Sequence, residues 1–376
     1  MSAALNASVR ETRLALVGFG YWGPNLLRNF SATAGVSVTT VCDADAARLP
    51  AARAAAPWLA VTADLRSVLA DPGIDAVAIA TPVASHFEIA LAALAAGKHV
   101  FIEKPITRTR FEAARLVEAA AARGRVLMVD HTYVYSSAVE RLRALVAGTG
   151  SGNAGGAGEG AGNGLGQAYY YDSVRANLGR FRADVDVLWD LAVHDLAILD
   201  FLFDAMPAEV TATGANFIEQ AGPRASDLAH LTLRYASGFL AHIHVNWLSP
   251  IKIRRVMIGA SRRMAVYDDL EPSDKLKIYD RGVDLGVLAD GAPAGTPKDA
   301  GEALQRRIGY RTGDMWAPRI DVAEPLAGAC AEFMRCIRDN AAPRTDGACG
   351  QRVVRVLEAA SASLAQRGAP VGLEPL

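Results

Sequence analysis

The stretch Gly18-Phe19-Gly20-Tyr21-Trp22-Gly23 decides how the first part of this chain folds. It follows the apolar residues 14–17 and precedes a helical pattern, so its three glycines lie between a strand and a helix. The first glycine permits the tight turn, the second lets the backbone approach a pyrophosphate, and the third allows close packing of helix on strand. We therefore predict that residues 18–23 bind a dinucleotide. The alternative is a glycine-rich turn that binds no nucleotide.

An acidic residue extends this pattern and indicates which dinucleotide is bound. Asp43 lies twenty residues after Gly23, directly after a second predicted strand at residues 36–42. A carboxylate at this point accepts hydrogen bonds from the ribose hydroxyls and repels a 2′-phosphate, which favours NAD over NADP. Arg48 is nearby on the following predicted helix, and we do not expect it to replace Asp43.

Two later strand ends carry polar residues. The third apolar run is followed by Thr81, Pro82 and His86, and the next one ends in Glu103 and Lys104. In a doubly wound sheet the ligand binds at the carboxyl ends of the strands, so we predict that these five residues lie beside the cofactor. Lys104 there suits stabilisation of a substrate oxyanion. For His86 the alternative is a helix-start residue without a ligand.

The alternation of strands and helices predicts the fold class. Residues 1–131 read as an NAD-binding Rossmann domain, an α/β unit with a doubly wound parallel sheet. Residues 132–376 read as an α+β domain with a large open, mostly antiparallel sheet, which binds substrate and forms oligomers. The segment 148–166 is rich in glycine and predicts a flexible loop.

Composition excludes several classes of protein. The chain has 376 residues, which suits two domains, and its 39 basic and 40 acidic residues argue against a nucleic-acid partner or a polybasic membrane contact. Its four cysteines form neither a C-x-x-C pair nor a zinc pattern, so we expect no metal site. Residues 1–11 lack the apolar core of a secretory signal, and no apolar run has the length of a membrane helix. We expect a cytoplasmic protein.

A carboxylate and a histidine form a second chemical motif. Asp190 and His194 are four residues apart at the start of a predicted helix at residues 191–203, so they project from one face. The carboxylate would orient the imidazole, which titrates near neutral pH and suits removal of a hydroxyl proton. The alternative is a helix-capping aspartate beside a structural histidine.

Taken in order, these motifs resemble the Gfo/Idh/MocA family of oxidoreductases. Glu103-Lys104-Pro105 is the most specific short match, and Asp190-x-x-x-His194 matches the second motif of the family. The resemblance runs from about residue 13 to the C-terminal helices. It implies that NAD lies between the two domains, that Lys104, Asp190 and His194 are catalytic, and that sheet faces pair in a homodimer or homotetramer.

Two stretches narrow the expected substrate to a sugar or nucleotide sugar. Residues 169–179 and 310–314 resemble the branch of nucleotide-sugar 3-dehydrogenases, which implies a UDP-N-acetylhexosamine or its uronate as substrate. Candidate substrate contacts are His131, Tyr133, Arg175, Asn177 and Arg311. Alternatives are a cyclitol or free-sugar dehydrogenase and an NAD-dependent glycoside hydrolase of the same family. A non-catalytic nucleotide sensor would not need both Lys104 and His194.

Overall fold

Two large β-sheets, a two-stranded hairpin and the helices packed on the sheets make up the described part of the chain. The computed structural model describes residues 11–148, 164–179, 181, 185–218, 226–285, 301 and 308–374. Most of the predicted glycine-rich loop, residues 149–163, therefore lies outside the described residues.

The first sheet has six strands, and every pair in it is parallel. In chain order they are β1 (Thr12–Val17), β2 (Val36–Cys42), β3 (Ala60–Thr62), β4 (Ala76–Ile79), β5 (His99–Glu103) and β6 (Leu127–Asp130). The spatial order is β3-β2-β1-β4-β5-β6. The helices between them are α1 (Gly23–Ala32), α2 (Leu49–Ala55), α3 (Leu65–Ala70), α4 (His86–Ala95) and α5 (Arg110–Arg123). All four residues of β4 are buried, as expected for a parallel sheet covered on both faces. The predicted doubly wound sheet is confirmed.

The second sheet has nine strands and is open. Its strands are β7 (Ala168–Leu178), β8 (Glu209–Ala215), β9 (Leu228–Arg234), β10 (Leu240–Asn246), β11 (Leu248–Ala260), β12 (Met264–Asp268), β13 (Leu276–Tyr279), β16 (Met315–Trp316) and β17 (Val371–Gly372). A separate hairpin is formed by β14 (Gly282–Leu285) and β15 (Ile308–Arg311). The spatial order is β16-β13-β12-β11-β7-β10-β9-β8-β17, and only β7 and β10 pair in parallel. The predicted mostly antiparallel sheet is confirmed.

The remaining long helices connect the two sheets. They are α6 (Ser137–Ala147), α7 (Val193–Phe203), α8 (Pro325–Asp339) and α9 (Gly347–Ala365). Helix α9 packs on β8 and α7 and also on α5. Just before it, Thr345 exchanges two hydrogen bonds with the backbone of Val129 in β6, at 2.7 and 2.8 Å. The end of the chain therefore returns to the first sheet, and the domain boundary after residue 131 stays a prediction.

The structure differs from the sequence prediction at several elements. The helix expected at residues 191–203 is preceded by a π-helical turn at Leu188–Ala192, so Asp190 lies in that turn and His194 in α7. Strand β3 and the hairpin of β14 and β15 were not predicted, because each is short and lacks a clear apolar alternation.

The described residues were also searched for membrane and metal features. No helix among them is both long and apolar enough to cross a membrane. Within the same residues, no three histidine, cysteine or acidic side chains are grouped as metal ligands. The four cysteines are all buried and free.

A glycine in α9 sets how closely this helix packs on the first sheet. A Cβ atom at Gly350 would lie 2.8 Å from Cγ2 of Val129 and 3.0 Å from Cγ2 of Ile106. We predict that Gly350→Val lowers the free energy of unfolding by about 1–3 kcal/mol, because overpacking forces side chains and backbone apart. Thermal unfolding measures this. The control is Gly372→Ala, where a Cβ meets nothing within 4 Å. An unchanged melting temperature for Gly350→Val would contradict this packing.

Candidate active site

A cleft of about 620 Å³ lies between the two sheets. Its lining comes from the glycine turn, the ends of β4 and β5, the segment after β6, the π-helical turn with the start of α7, and β11. The lining residues are Gly20, Tyr21, Trp22, Arg48, Ala80, Thr81, Pro82, Val83, His86, Glu103, Lys104, Thr132, Tyr133, Phe181, Asp190, His194 and Arg254. Motifs that are far apart in sequence therefore meet in one cleft.

The glycine turn at the floor of the cleft has no room for side chains. Gly18 has φ of +97°, and a Cβ there would lie 2.6 Å from the carbonyl oxygen of Ala80. A Cβ at Gly23 would lie 2.5 Å from the carbonyl oxygen of Gly18. Helix α1 begins at Gly23 without a side-chain cap, and its N-terminus carries the positive end of the helix dipole. This arrangement fits the pyrophosphate of a dinucleotide.

Asp43 lies directly behind this turn and is 7% exposed. Its carboxylate accepts hydrogen bonds from the N–H of Phe19 at 2.6 Å and the N–H of Asp45 at 2.9 Å. Arg48 lies 3.6 Å from Asp43 and 3.2 Å from Asp45, and unlike Asp43 it lines the cleft. Asp43 thus holds the turn in place, and Arg48 is the charged side chain nearest to the cofactor space from this strand end.

His86 ties two strand ends together. Its Nε2 lies 2.9 Å from the carbonyl oxygen of Thr81, and its Nδ1 lies 2.9 Å from the carbonyl oxygen of Pro105. The side chain lines the cleft, yet the residue is only 1% exposed. The geometry supports a structural role, in which His86 fixes the loops after β4 and β5 relative to each other.

Lys104 projects from the end of β5 toward the second sheet. Its Nζ donates to the backbone carbonyl of Asp190 at 2.8 Å and to Oδ1 of the same residue at 3.1 Å. Oδ2 of Asp190 accepts a hydrogen bond from Nε1 of Trp247 at 3.2 Å. We expected Asp190 to orient His194, but these contacts show that its carboxylate positions Lys104.

His194 lies on the same cleft and is held in its neutral form. Burial, followed by the positive charges of Lys104 and Arg175, lowers the pKa of His194 well below its ordinary value of 6.5. Its Nδ1 is buried and has no hydrogen-bond partner. The ring packs edge-on against Tyr133, with centroids 4.9 Å apart. A neutral imidazole in this position has the protonation state of a general base.

Two arginines flank the ring of Tyr133. Arg175 in β7 and Arg254 in β11 are paired across the sheet, with their guanidinium carbons 4.4 and 5.5 Å from the ring centroid. Arg175 is bound to Asp195 at 2.9 Å, and Arg254 to Asp269 at 3.0 Å. Each arginine still has one buried nitrogen, Nη1 and Nε respectively, without a hydrogen-bond partner. Of the two arginines, only Arg254 lines the cleft, where its guanidinium group suits the oxygen atoms of a substrate.

The other predicted substrate contacts lie further from the cleft. His131 is 1% exposed, and burial followed by the charge of Lys104 lowers its pKa to about 3. Asn177 lies near the end of β7, and Arg311 lies in β15, 3.5 Å from Asp280. None of these three, nor Arg175, is among the described residues that line the cleft; of the predicted substrate contacts, Tyr133 is.

The sequence analysis missed one arginine and two aromatic residues that lie in the cleft or next to it. Arg254 lines the cleft, Phe181 lies at its edge, and Trp247 packs 5.7 Å from Phe181 while it binds Asp190. None of them belongs to a short motif. Arg254 can be recognised as a cleft residue only from the strand register that pairs it with Arg175. A sequence does not reveal the register between two distant strands.

A nucleotide-binding turn that faces a lysine and a neutral histidine across one cleft defines the class of NAD-dependent oxidoreductases. The sequence comparisons agree with this class. Residues 12–131 match the profile described as "Oxidoreductase family, NAD-binding Rossmann fold", and residues 168–266 match the GFO/IDH/MocA C-terminal domain. The chain belongs to the Gfo/Idh/MocA family.

Named relatives of this chain act on several sugars and polyols. UDP-N-acetylglucosamine 3-dehydrogenase of Acidithiobacillus ferrooxidans is 28% identical over 75% of this chain and 76% of its own length. A crystal structure of that enzyme has a TM-score of 0.73, with 26% identity over 95% of this chain and 98% of its own. Inositol 2-dehydrogenase of Acidothermus cellulolyticus is 29% identical over 64% of this chain and 67% of its own length. The levoglucosan dehydrogenase complex with NADH and levoglucosan, at 20% identity over 96% and 99% of the two chains and a TM-score of 0.76, shows a shared fold.

The lowered pKa of His194 predicts how activity depends on pH. A base must be unprotonated to accept a proton, so the rate of alcohol oxidation falls only when the pH drops below the pKa of His194. Because that pKa lies well below 6.5, we expect the acidic limb of kcat/KM to lie below pH 6.5 as well. Initial rates measured across acidic pH test this. An acidic limb at or above pH 6.5 would show that His194 is not the base in this state.

Proposed function

We propose that this protein is an NAD-dependent dehydrogenase that oxidises a secondary hydroxyl of a sugar, or reduces the corresponding ketone. The substrate we propose is a nucleotide sugar, such as a UDP-N-acetylhexosamine or its uronate, with the reaction at C3. One observation carries the proposal. Lys104 after β5 of the first sheet and His194 at the start of α7 line the same cleft as the glycine turn.

The glycine turn and the start of α1 would hold the cofactor. Gly18 and Gly23 let the turn pack closely against its own backbone, Gly20 lines the cleft, and the start of α1 places the positive end of the helix dipole beside it. NAD, when bound, supplies the acceptor for a hydride. Asp43 and Arg48 lie where the adenosine ribose is bound in this fold, with Asp43 keeping the turn closed.

The acid–base chemistry belongs to two side chains. The substrate carbon loses a hydride while its hydroxyl loses a proton, and a C=O double bond forms. A ring nitrogen of His194 accepts that proton, because burial keeps the imidazole neutral. Nζ of Lys104 stabilises the negative charge that develops on the substrate oxygen. Asp190 holds Lys104 in place through its carboxylate and its backbone carbonyl.

The arginines near Tyr133 support a substrate rich in oxygen atoms. Arg254 lines the cleft together with His194, and Arg175 lies beside it across the sheet, so positive charge is concentrated next to the proposed base. A polyhydroxylated or carboxylated sugar supplies oxygen acceptors for these cations. The similarity to UDP-N-acetylglucosamine 3-dehydrogenase over three quarters of this chain supports a nucleotide-linked sugar.

The open face of the nine-stranded sheet supports a further part of the proposal. His230 in β9 and His244 in β10 stack on this face with ring centroids 4.3 Å apart, and His230 is exposed. We propose that a second copy of the chain covers the face in a homodimer or homotetramer.

We also propose that the chain divides after residue 131 into a cofactor domain and a substrate domain. The cytoplasmic location stays a prediction.

Alanine variants test the two proposed catalytic residues. We predict that Lys104→Ala and His194→Ala each lower kcat by at least about 10²-fold, because each removes a proton-transfer or charge-stabilising group. NAD binding, followed by fluorescence titration, should stay close to that of the unaltered protein. Arg66→Ala in α3 and His99→Ala at the start of β5 are controls that remove a cation and an imidazole away from the cleft and from the open sheet face. Near-normal turnover in either catalytic variant would remove that residue from the mechanism.

A substrate panel tests the proposed specificity. The protein is incubated with NAD and with UDP-N-acetylglucosamine, its uronate, free hexoses or myo-inositol, and NADH absorbance is followed. An added 2-oxo acid serves as acceptor in case the cofactor is tightly held. We expect turnover with a nucleotide sugar to exceed turnover with the free sugars and the cyclitol. Preference for a cyclitol, or cleavage of a glycoside without net NADH, would contradict the proposed specificity.

A further inference from the structure

Two acidic side chains lie next to each other behind Lys104. Glu103 and Asp130 are direct neighbours across the parallel strands β5 and β6, at the carboxyl end of each strand. Asp130 is 1% exposed, Oε1 of Glu103 is buried, and a hydrogen bond between the two side chains contributes to the pKa of each. A hydrogen bond between two carboxyl groups requires that at least one of them carries a proton.

The other contacts of the pair show which group is ionised. Asp130 accepts a hydrogen bond from Oγ1 of Thr132 at 2.7 Å and one from Nε1 of Trp22 at 3.4 Å. Oε1 of Glu103 is buried and has no hydrogen-bond partner. Donors that point at a carboxyl group stabilise its charged form, so the charge belongs on Asp130 and the proton on Glu103.

Burial raises the pKa of Asp130 as well, but the hydrogen bonds that it accepts and the charge of Lys104 oppose that rise. Burial, and then the charge of Asp130, raise the pKa of Glu103 well above its usual range. Lys104 opposes that shift, but its ammonium group is bound to Asp190. Cys330 also faces the pair, and burial keeps it a neutral thiol by raising its pKa. His131, next in the chain, is neutral because burial lowers its pKa to about 3.

We propose that Glu103 and Asp130 share a single proton, held on Glu103, and that the neutral acid so formed positions Lys104 for catalysis. An ionised Glu103 would be a second carboxylate beside Lys104 and would compete with Asp190 for its charge. Asp130 also binds Trp22 of the glycine turn, so the pair connects the cofactor turn to Lys104. Both acids are positioning residues. The functional part of this proposal rests on the proposed role of Lys104.

Infrared spectroscopy of the full protein with NAD bound tests the shared proton without using activity. We expect the C=O stretch of a protonated carboxylic acid at neutral pH. Glu103→Gln should abolish this band. In Asp130→Asn the band should disappear at a lower pH than in the unaltered protein, because the charge that raises the pKa of Glu103 is gone. Asp280→Asn, next to Arg311 and away from the cleft, is the matched control and should leave the band unchanged.

Activity profiles test the link to Lys104. In Asp130→Asn the alkaline limb of kcat should move to lower pH by about one unit or more. We expect Glu103→Gln to lower kcat in its own right. In the double variant with Asp130→Asn, the alkaline limb of kcat should move little relative to Glu103→Gln alone, because glutamine does not ionise. An equal shift in both backgrounds would overturn the proposal, as would the absence of the band at neutral pH. If no sugar is oxidised, the proposed function fails while the infrared result still stands.

Discussion

The ion pair between Lys104 and Asp190 is the contact on which the site depends. Its atoms are 3.1 Å apart, and both side chains are mostly buried, so loss of either partner leaves a poorly solvated charge. The pair joins the end of a parallel strand to the π-helical turn before α7. Because Trp247 binds the second carboxylate oxygen, the lysine is fixed relative to the second sheet as well. The contact therefore holds the two sides of the cleft together.

Regular elements of this fold were predictable because their signals are local. The bounds of β2 and β8 match the sequence pattern, since each is an apolar or alternating run that ends at a polar or glycine-containing turn. Strand β3 escaped prediction because it has only three residues. The π-helical turn at Leu188–Ala192 also escaped, since its hydrogen bonds are set by packing around Asp190 and not by residue preference.

Residues of the candidate site could be predicted only where they belong to a short sequence motif. Lys104 and His194 came from short patterns, and the structure brings both to the cleft. Arg254 could not be found, because its approach to Tyr133 follows from the register of β11 on β7. Burial is also invisible in a sequence. It makes His194 a neutral base, and it turns the expected carboxylate of Glu103 into a protonated acid in our proposal.

The central claim is that the cleft transfers a hydride from a sugar carbon to NAD while His194 removes the hydroxyl proton. The most direct measurement uses the best substrate found, deuterated at the carbon that is oxidised, in ordinary water. The account predicts that deuterium appears on the nicotinamide ring of the recovered cofactor, as read by mass spectrometry, and that little of it reaches the solvent. Sugar oxidised without deuterium in the cofactor, with the label released to water, would contradict the account.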